Sequence, residues 1–496
     1  MIKRLLIANR GEIAVRIVRA CRELGVESVA VYSDADAQAQ HVLAADRGVC
    51  IGPPPVAESY LSIPSIISAA QAMEADAVHP GYGLLSENAA FARACEAAGL
   101  VFVGPPSGVI ARMGSKIEAR RLMQSAGVPV VPGETPADQT DAGVADAVKR
   151  LGMPALVKAS AGGGGKGMRR VDHAGGTLEA VQAARREALA AFGDGTLYVE
   201  RALDRPRHVE VQIVADHHGH VVHLFERECS VQRRHQKVIE ESPSPSPALS
   251  AYLRRQMTAA AVQAARAAGY RNAGTIEFLL ESTGAFYFLE MNTRLQVEHP
   301  VTEAIAGVDL VRAQILIASG EVLPWRQESL AQRGHAIEAR VYAEDPSRGF
   351  LPQAGRLLLY REPRMAGVRI DSGVAEGNLV PVYYDPLLAK VIAAAESREL
   401  ARRRLVAALR DFPILGVHTN VPFLVRVLEH PKFVTGAIDT GFLDAEGARL
   451  AEPSSTQTPP FVLTAMAAQG PSSVDGGAAD SRQTVDPWRR LVDWRN

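Results

Sequence analysis

Apolar positions along this chain alternate between two spacings, and their order predicts the architecture. "KRLLIA" is almost continuously apolar and predicts a buried strand. In "EIAVRIVRACRELG" the spacing becomes helical: Ala14, Ile17, Val18, Cys21 and Leu24 share one stripe, and Gly25 supplies the stop. "ESVAVYS" predicts the next strand, and "ADAVHPGYG" and "LVFVGPP" repeat the strand-then-loop rhythm. Such alternation predicts an open parallel sheet flanked by helices over roughly the first hundred residues.

A second region opens with "MGSKIEARRLMQSAGVPV", a predicted helix with Lys116 near its start. Beyond it lie a glycine run, the stretch "GDGTLYVERAL" and the predicted strands "RHVEVQIVAD" and "HVVHLFERECSV". The helical pattern "ALSAYLRRQMTAAAVQAARAAG" ends at Gly269. "GTIEFLLES" and "AFYFLEMN" meet across a short Thr-Gly turn, which predicts an antiparallel hairpin. A third region begins near Gly334 with the strand-like "HAIEARVYAEDP" and runs through "VPVYYDPLLAKVIAAA" to about Phe442. The last stretch, "AEPSSTQTPP" and "GPSSVDGGAADSRQTVD", has linker composition before an ending that carries Trp488 and Trp494. The fold class is therefore α/β (α+β overall), and no internal repeat is visible.

Composition narrows the function. A chain of 496 residues has room for roughly three domains of about 150 residues. Its hydrophobic fraction is 47% and its charged fraction 22%, as in an ordinary globular enzyme. A formal net charge of −1 supplies no field for nucleic acid or an anionic membrane. Cys21, Cys50, Cys95 and Cys229 form no C-x-x-C pair, which fits a reducing compartment, and Cys229 is expected to be a buried thiol. The start lacks the features of a signal or transit peptide, and no apolar run is long enough for a bilayer, so the expected location is the cytoplasm.

Two stretches carry chemistry. "KASAGGGGKGMRR" places four glycines before Lys166 and the pair Arg169–Arg170, so backbone amides and cations can approach an anion. It is not a P-loop, because Ser160 and Gly167 stand where that motif needs Gly and Ser or Thr. Nor does "NRGEIA" supply the G-x-G-x-x-G of a nicotinamide-binding turn. In "LEMNTRLQVEHPVTE", an extended chain would put Glu290, Asn292, Arg294, Gln296 and Glu298 on one face. Such a row is costly to bury unless its members pair or bind ions. Glu277, on the preceding hairpin strand, is the natural second carboxylate for Mg²⁺, which takes one or two carboxylates plus substrate phosphates.

Together these motifs resemble the biotin carboxylases of the ATP-grasp superfamily. The matching stretches are "IANRGEIAVRI", "HPGYGLLSEN", "KASAGGGGKGMR", "VQRRHQKVIEE", "EFLLE", "EMNTRLQVEHPVTE", "GHAIEARVYAEDP" and "YYDPLLAK", over roughly residues 1–445. The resemblance implies an N-terminal domain at 1–113, an ATP-grasp domain at 114–333 with a glycine-rich lid at about 131–203, a mixed α/β C-terminal domain at 334–446, and a linker and tail at 447–496. It implies nucleotide contacts from Lys116, Lys158, Gly164, Gly165, the adenine-pocket run Glu200, Arg201, Ala202 and Leu203, and His208, Gln232 and His235. Glu277, Glu290 and Asn292 would hold Mg²⁺ or Mn²⁺. Arg294 and the Val297 backbone would bind bicarbonate, with Glu298 as general base. Lys237 would stabilise the transferring phosphoryl group and Arg340 the biotin enolate oxygen, with Tyr82 bordering the biotin pocket.

The implied reaction is ATP-dependent carboxylation of biotin with bicarbonate, through carboxyphosphate. Lys166 replaces an arginine, and Ala161 a glycine, common in the family loop; both keep the chemical character. No Met-Lys pair occurs, so biotin is expected on a separate carrier protein. The ending resembles acyl-CoA carboxylase alpha chains, which implies a carboxyltransferase partner, docking through the tail, and a homodimer or larger hetero-oligomer. Two other functions remain open at this point. One is an ATP-grasp ligase of the carbamoyl phosphate or carboxyaminoimidazole nucleotide type; the other is a non-enzymatic nucleotide-sensing subunit.

Overall fold

A computed structural model describes residues 1–161, 167–234 and 236–452. Gly164, Gly165, His235 and the tail with its two tryptophans lie outside the described residues. The first region forms a parallel five-stranded sheet in the order 47–50, 27–32, 4–7, 77–79, 101–102. The helix Gly11–Leu24 follows the first strand and buries Ile13, Ala14, Ile17, Val18 and Cys21. Gly25 ends it in the left-handed conformation at φ 68°, which glycine adopts without a Cβ clash. Strand order reverses between Arg4–Ile7 and Ala77–His79, and open parallel sheets bind ligands beside such a switch. Asn9 Nδ2 ties the two loops there, donating to the carbonyls of Pro80 at 2.7 Å and Tyr82 at 2.8 Å.

A four-stranded antiparallel sheet follows, in the order 133–134, 197–201, 155–159, 168–171. With the helices Asp141–Leu151 and Thr177–Phe192 it closes around a core of its own, built from residues such as Val144, Val148, Val157, Val181 and Val199. Gly167, at the described end of the glycine run, has φ 69°, and a Cβ there would come within 2.8 Å of Ala159 Cβ. Only glycine fits both constraints.

The largest sheet has eight antiparallel strands in the order 286–292, 272–280, 207–215, 221–233, 236–242, 335–342, 387–395, 368–372. The predicted hairpin is its first pair. His335–Tyr342 pairs with Gln236–Ser242, so one sheet runs uninterrupted past Gly334. Backbone pairing therefore fixes the distance between groups on 207–242 and groups on 335–342. Among the described residues, no helix is long and apolar enough to cross a membrane.

Candidate active site

The large sheet carries acids on strands that are otherwise apolar. Arg207–Ala215 is buried along its whole length: Val209, Val211 and Ile213 enter a hydrophobic core, while His208, Glu210 and Gln212 alternate with them. Glu210 stands opposite Arg227 on one neighbouring strand and opposite Glu277 on the other, and Glu277 stands opposite Glu290. Register alone thus lines up three carboxylates and a guanidinium across four strands.

Beyond Asn292 the predicted extended row does not continue as a strand. Phe286–Asn292 ends there, residues 293–298 form a loop, and the helix His299–Ala306 begins with Pro300 in its first turn. Proline is preorganised for that position and cannot join a strand ladder, so the chain turns. The side chains nevertheless converge. Glu277, Glu290, Asn292, Arg294, Gln296, Val297 and Glu298 all line one cleft of about 780 Å³, together with Lys116, Lys158, Ala202, Leu203, His208, Gln232, Lys237 and Arg340.

Lys237 is the centre of the cleft's charge. Its ammonium donates to Glu210 at 2.6 Å, Glu298 at 2.7 Å and Glu277 at 2.9 Å. Arg340 joins from the neighbouring strand, donating to Glu240 at 2.6 Å and Glu298 at 2.9 Å. Burial alone would raise the Glu298 carboxyl, but Lys237, Arg340 and Arg227 hold it well below the usual carboxylate range. Glu277 is likewise held low against its burial, by Lys237 and by His208, whose Nε2 lies 3.0 Å away. Glu277 also accepts from Asn292 at 2.8 Å and Gln296 at 3.0 Å.

Glu290 differs. Burial and the nearby Glu277 push its carboxyl up, and no hydrogen bond or ion pair holds it among the described residues. Two carboxylates in direct register, one of them without a hydrogen bond or ion pair among the described residues, with an amide beside them, are a hard-oxygen donor set that a divalent cation would complete. The residues fit Mg²⁺.

At the other end, Lys158 donates to Glu200 at 2.9 Å, which more than offsets its burial and keeps it charged. Lys116 is lowered by burial and by the proximity of Lys158. Two cations held this close are what a polyphosphate would neutralise.

Several predicted residues lie elsewhere. Glu200 sits behind Lys158, where Arg120 also grips it at 2.7 Å, and it does not line the cleft. Strand alternation turns Arg201 the other way, to Glu281 at 3.0 Å and Tyr287 at 3.1 Å. The same alternation splits the arginine pair: Arg170 lines the cleft, while Arg169 meets Glu187 at 2.8 Å. The Tyr82 hydroxyl donates to the buried Glu12, and Tyr82 is near enough to Arg340 to feel its charge. Cys229 is the expected buried thiol, pushed up by burial.

The sequence reading missed Glu210 and Arg227. Arg227 is fully buried and donates to Glu210 and Gln296, each at 2.6 Å, Gln212 at 2.8 Å, Thr302 at 2.9 Å and Thr275 at 3.1 Å. The polar alternation of "HVEVQ" was the available signal.

Comparison with known proteins decides the family. Residues 1–110 match the biotin carboxylase N-terminal domain, 115–326 the carbamoyl-phosphate synthase L chain ATP binding domain, and 338–445 the biotin carboxylase C-terminal domain. A biotin carboxylase from Halalkalibacterium halodurans is 52% identical over 443 residues, 89% of this chain and 97% of that protein. The chain belongs to the biotin carboxylase family. The family also includes longer relatives. The alpha subunit of methylcrotonoyl-CoA carboxylase from Oryza sativa is 51% identical over 445 residues, 89% of this chain but 60% of that subunit.

Among solved structures, a biotin carboxylase from Campylobacter jejuni in a β,γ-ATP complex superposes with a TM-score of 0.87 at 44% identity, covering 90% of this chain and 99% of that one. The biotin carboxylase domain dimer of Hydrogenobacter thermophilus 2-oxoglutarate carboxylase, in complex with MgADP, ADP and bicarbonate, gives 0.87 at 42% identity over 92% and 99%. The biotin carboxylase fold thus accounts for the parallel sheet, the large antiparallel sheet and the cleft on the latter.

Proposed function

We propose that this chain carboxylates a ureido nitrogen of biotin, using ATP and bicarbonate, as the biotin carboxylase component of an acyl-CoA carboxylase. The observation that carries the reading is the ammonium of Lys237, which touches the metal-type carboxylate Glu277 and the base Glu298 at once. It supports a site in which the phosphoryl group and bicarbonate meet. Two ends flank that point. Lys116, Lys158, His208, Gln232, Ala202 and Leu203 form a nucleotide end, and Arg294, the Val297 backbone, Glu298 and Arg340 form a carboxylation end. Glu277, Glu290 and Asn292 would hold the cation, Mg²⁺ or Mn²⁺, which would supply positive charge to screen the phosphate oxygens.

Each residue has a task that its surroundings support. Arg294 offers a planar fork to bicarbonate. Glu298 takes the bicarbonate proton as an oxygen of that anion attacks the γ-phosphorus and ADP leaves. Held as low as it is, Glu298 is a weak base while Lys237 and Arg340 both face it. Anionic substrates share those two cations and return basicity to the carboxylate. Lys237 stabilises the negative charge spread over the transferring phosphoryl oxygens. Carboxyphosphate then breaks to CO₂ and phosphate, the phosphate takes the ureido proton, and the resulting nitrogen attacks CO₂. Arg340 stabilises the enolate oxygen of deprotonated biotin. The separate hydrophobic core of residues 144–199 supports a lid that moves as a body, covering the labile intermediate.

The divisions 1–113, 114–333 and 334–446 are proposed as domains of this machine, with the sheet joining the last two. Its partners are a biotin carboxyl carrier protein and a carboxyltransferase subunit, its assembly a homodimer or larger hetero-oligomer, and its location the cytoplasm.

The test is ADP release in the presence of bicarbonate, with and without free biotin. Stimulation by biotin is expected. Bicarbonate-dependent ATPase indifferent to biotin would move the reading to another ATP-grasp ligase, and no turnover would remove the enzymatic reading.

A further inference from the structure

Glu87 belongs to "HPGYGLLSEN", and the reaction above gives this residue no task. Its carboxylate grips two consecutive residues where the strand Phe286–Asn292 gives way to the cleft loop. Oε1 accepts from the Thr293 backbone N–H at 2.9 Å and from the Thr293 hydroxyl at 3.3 Å. Oε2 accepts from Arg294 Nε at 2.9 Å. The Glu87 side chain is 40% exposed, and an ion pair that open to water contributes little to stability. Folding therefore gives no strong reason for the contact, whereas the geometry of Arg294 does.

A guanidinium carries five N–H donors in a fixed plane. In Arg294 the Nε donor goes to Glu87, one Nη1 donor to the Leu295 carbonyl at 3.2 Å and one Nη2 donor to Asn292 Oδ1 at 3.0 Å. One N–H on each Nη is left unclaimed among the described residues, and two such donors suit two oxygens of a planar anion. We propose that Glu87 is a positioning residue for bicarbonate: by holding Nε and the preceding backbone, it fixes the Arg294 plane so that one donor on each Nη serves the substrate. An unheld Arg294 would have to be ordered by the substrate itself, at the expense of affinity.

The inference rests on Arg294 as the bicarbonate residue. The experiment uses the full chain and compares Glu87→Ala, Glu87→Gln and Arg294→Met, measuring KM for bicarbonate and for ATP, kcat, and the thermal midpoint. Glu87→Ala is expected to raise the bicarbonate KM about tenfold, with a much smaller fall in kcat at saturating bicarbonate. Glu87→Gln is expected to be intermediate, since its amide oxygen still accepts from Thr293. A bicarbonate KM unmoved in both Glu87 variants but raised in Arg294→Met overturns the positioning role alone. An increase in Glu87→Ala matched by the ATP KM, or accompanied by a large drop in thermal midpoint, overturns it as well. No effect of Arg294→Met on bicarbonate KM removes the reading of Arg294, and this inference with it.

Discussion

Glu298→Gln should lower the turnover number for biotin carboxylation by about 10²–10⁴-fold, the range a general base contributes. The KM for ATP should change little, because Glu298 stands at the opposite end of the cleft from Lys116 and Lys158. An amide keeps the size of the side chain, but its one oxygen can accept from only one of Lys237 and Arg340, which now reach the two carboxylate oxygens at 2.7 Å and 2.9 Å. It also loses the capacity to take a proton. The wild-type profile carries a second signature: with Glu298 held well below the usual carboxylate range, the group stays ionised down to unusually low pH. In the free enzyme, which kcat/KM reports, lowering the pH should therefore leave this base ionised until that depressed value is approached, whereas kcat should fall at a higher pH because bound anions return basicity to Glu298. Steady-state kinetics on the purified variant, with ADP release and carboxybiotin read separately, checks the expectation. A variant retaining a tenth or more of wild-type turnover would assign the proton transfer to another group.

The second large effect is on stability. Arg227→Leu should destabilise the fold by about 3–5 kcal/mol, as expected when one partner of a buried pair is removed. Leucine cannot reach Glu210, Gln212, Thr275, Gln296 or Thr302, all of which now accept from Arg227, so a fully buried carboxylate and four polar groups lose a donor together. Activity should fall too, because Arg227 holds Gln296 in the cleft loop and Glu210 beneath Lys237. Urea denaturation followed by circular dichroism reads the change, and an unaltered midpoint would show the network to be dispensable.

Much of this architecture was legible before any coordinates. The stripe through Ala14, Ile17, Val18 and Cys21 and the stop at Gly25 gave the first helix, and the Thr-Gly turn gave the hairpin carrying Glu277 and Glu290. Motifs quoted in order along the chain gave the family. Cross-strand relations were not readable in this way. Glu210, Arg227 and Glu277 lie on three strands whose register is set by backbone pairing, and nothing local marks them as neighbours. Pro300 could have warned that the row from Glu290 turns before Glu298. Side-chain direction was hidden for a simpler reason: Arg201, two residues before the cleft-lining Leu203, turns its side chain to Glu281 and Tyr287.

The central claim is that ATP and bicarbonate react with each other beside Lys237, before biotin takes part. Enzyme supplied with ATP, biotin and bicarbonate freshly labelled with ¹⁸O should transfer label from bicarbonate into inorganic phosphate, read by mass spectrometry before exchange with water. Phosphate that stays unlabelled while carboxybiotin accumulates would contradict it.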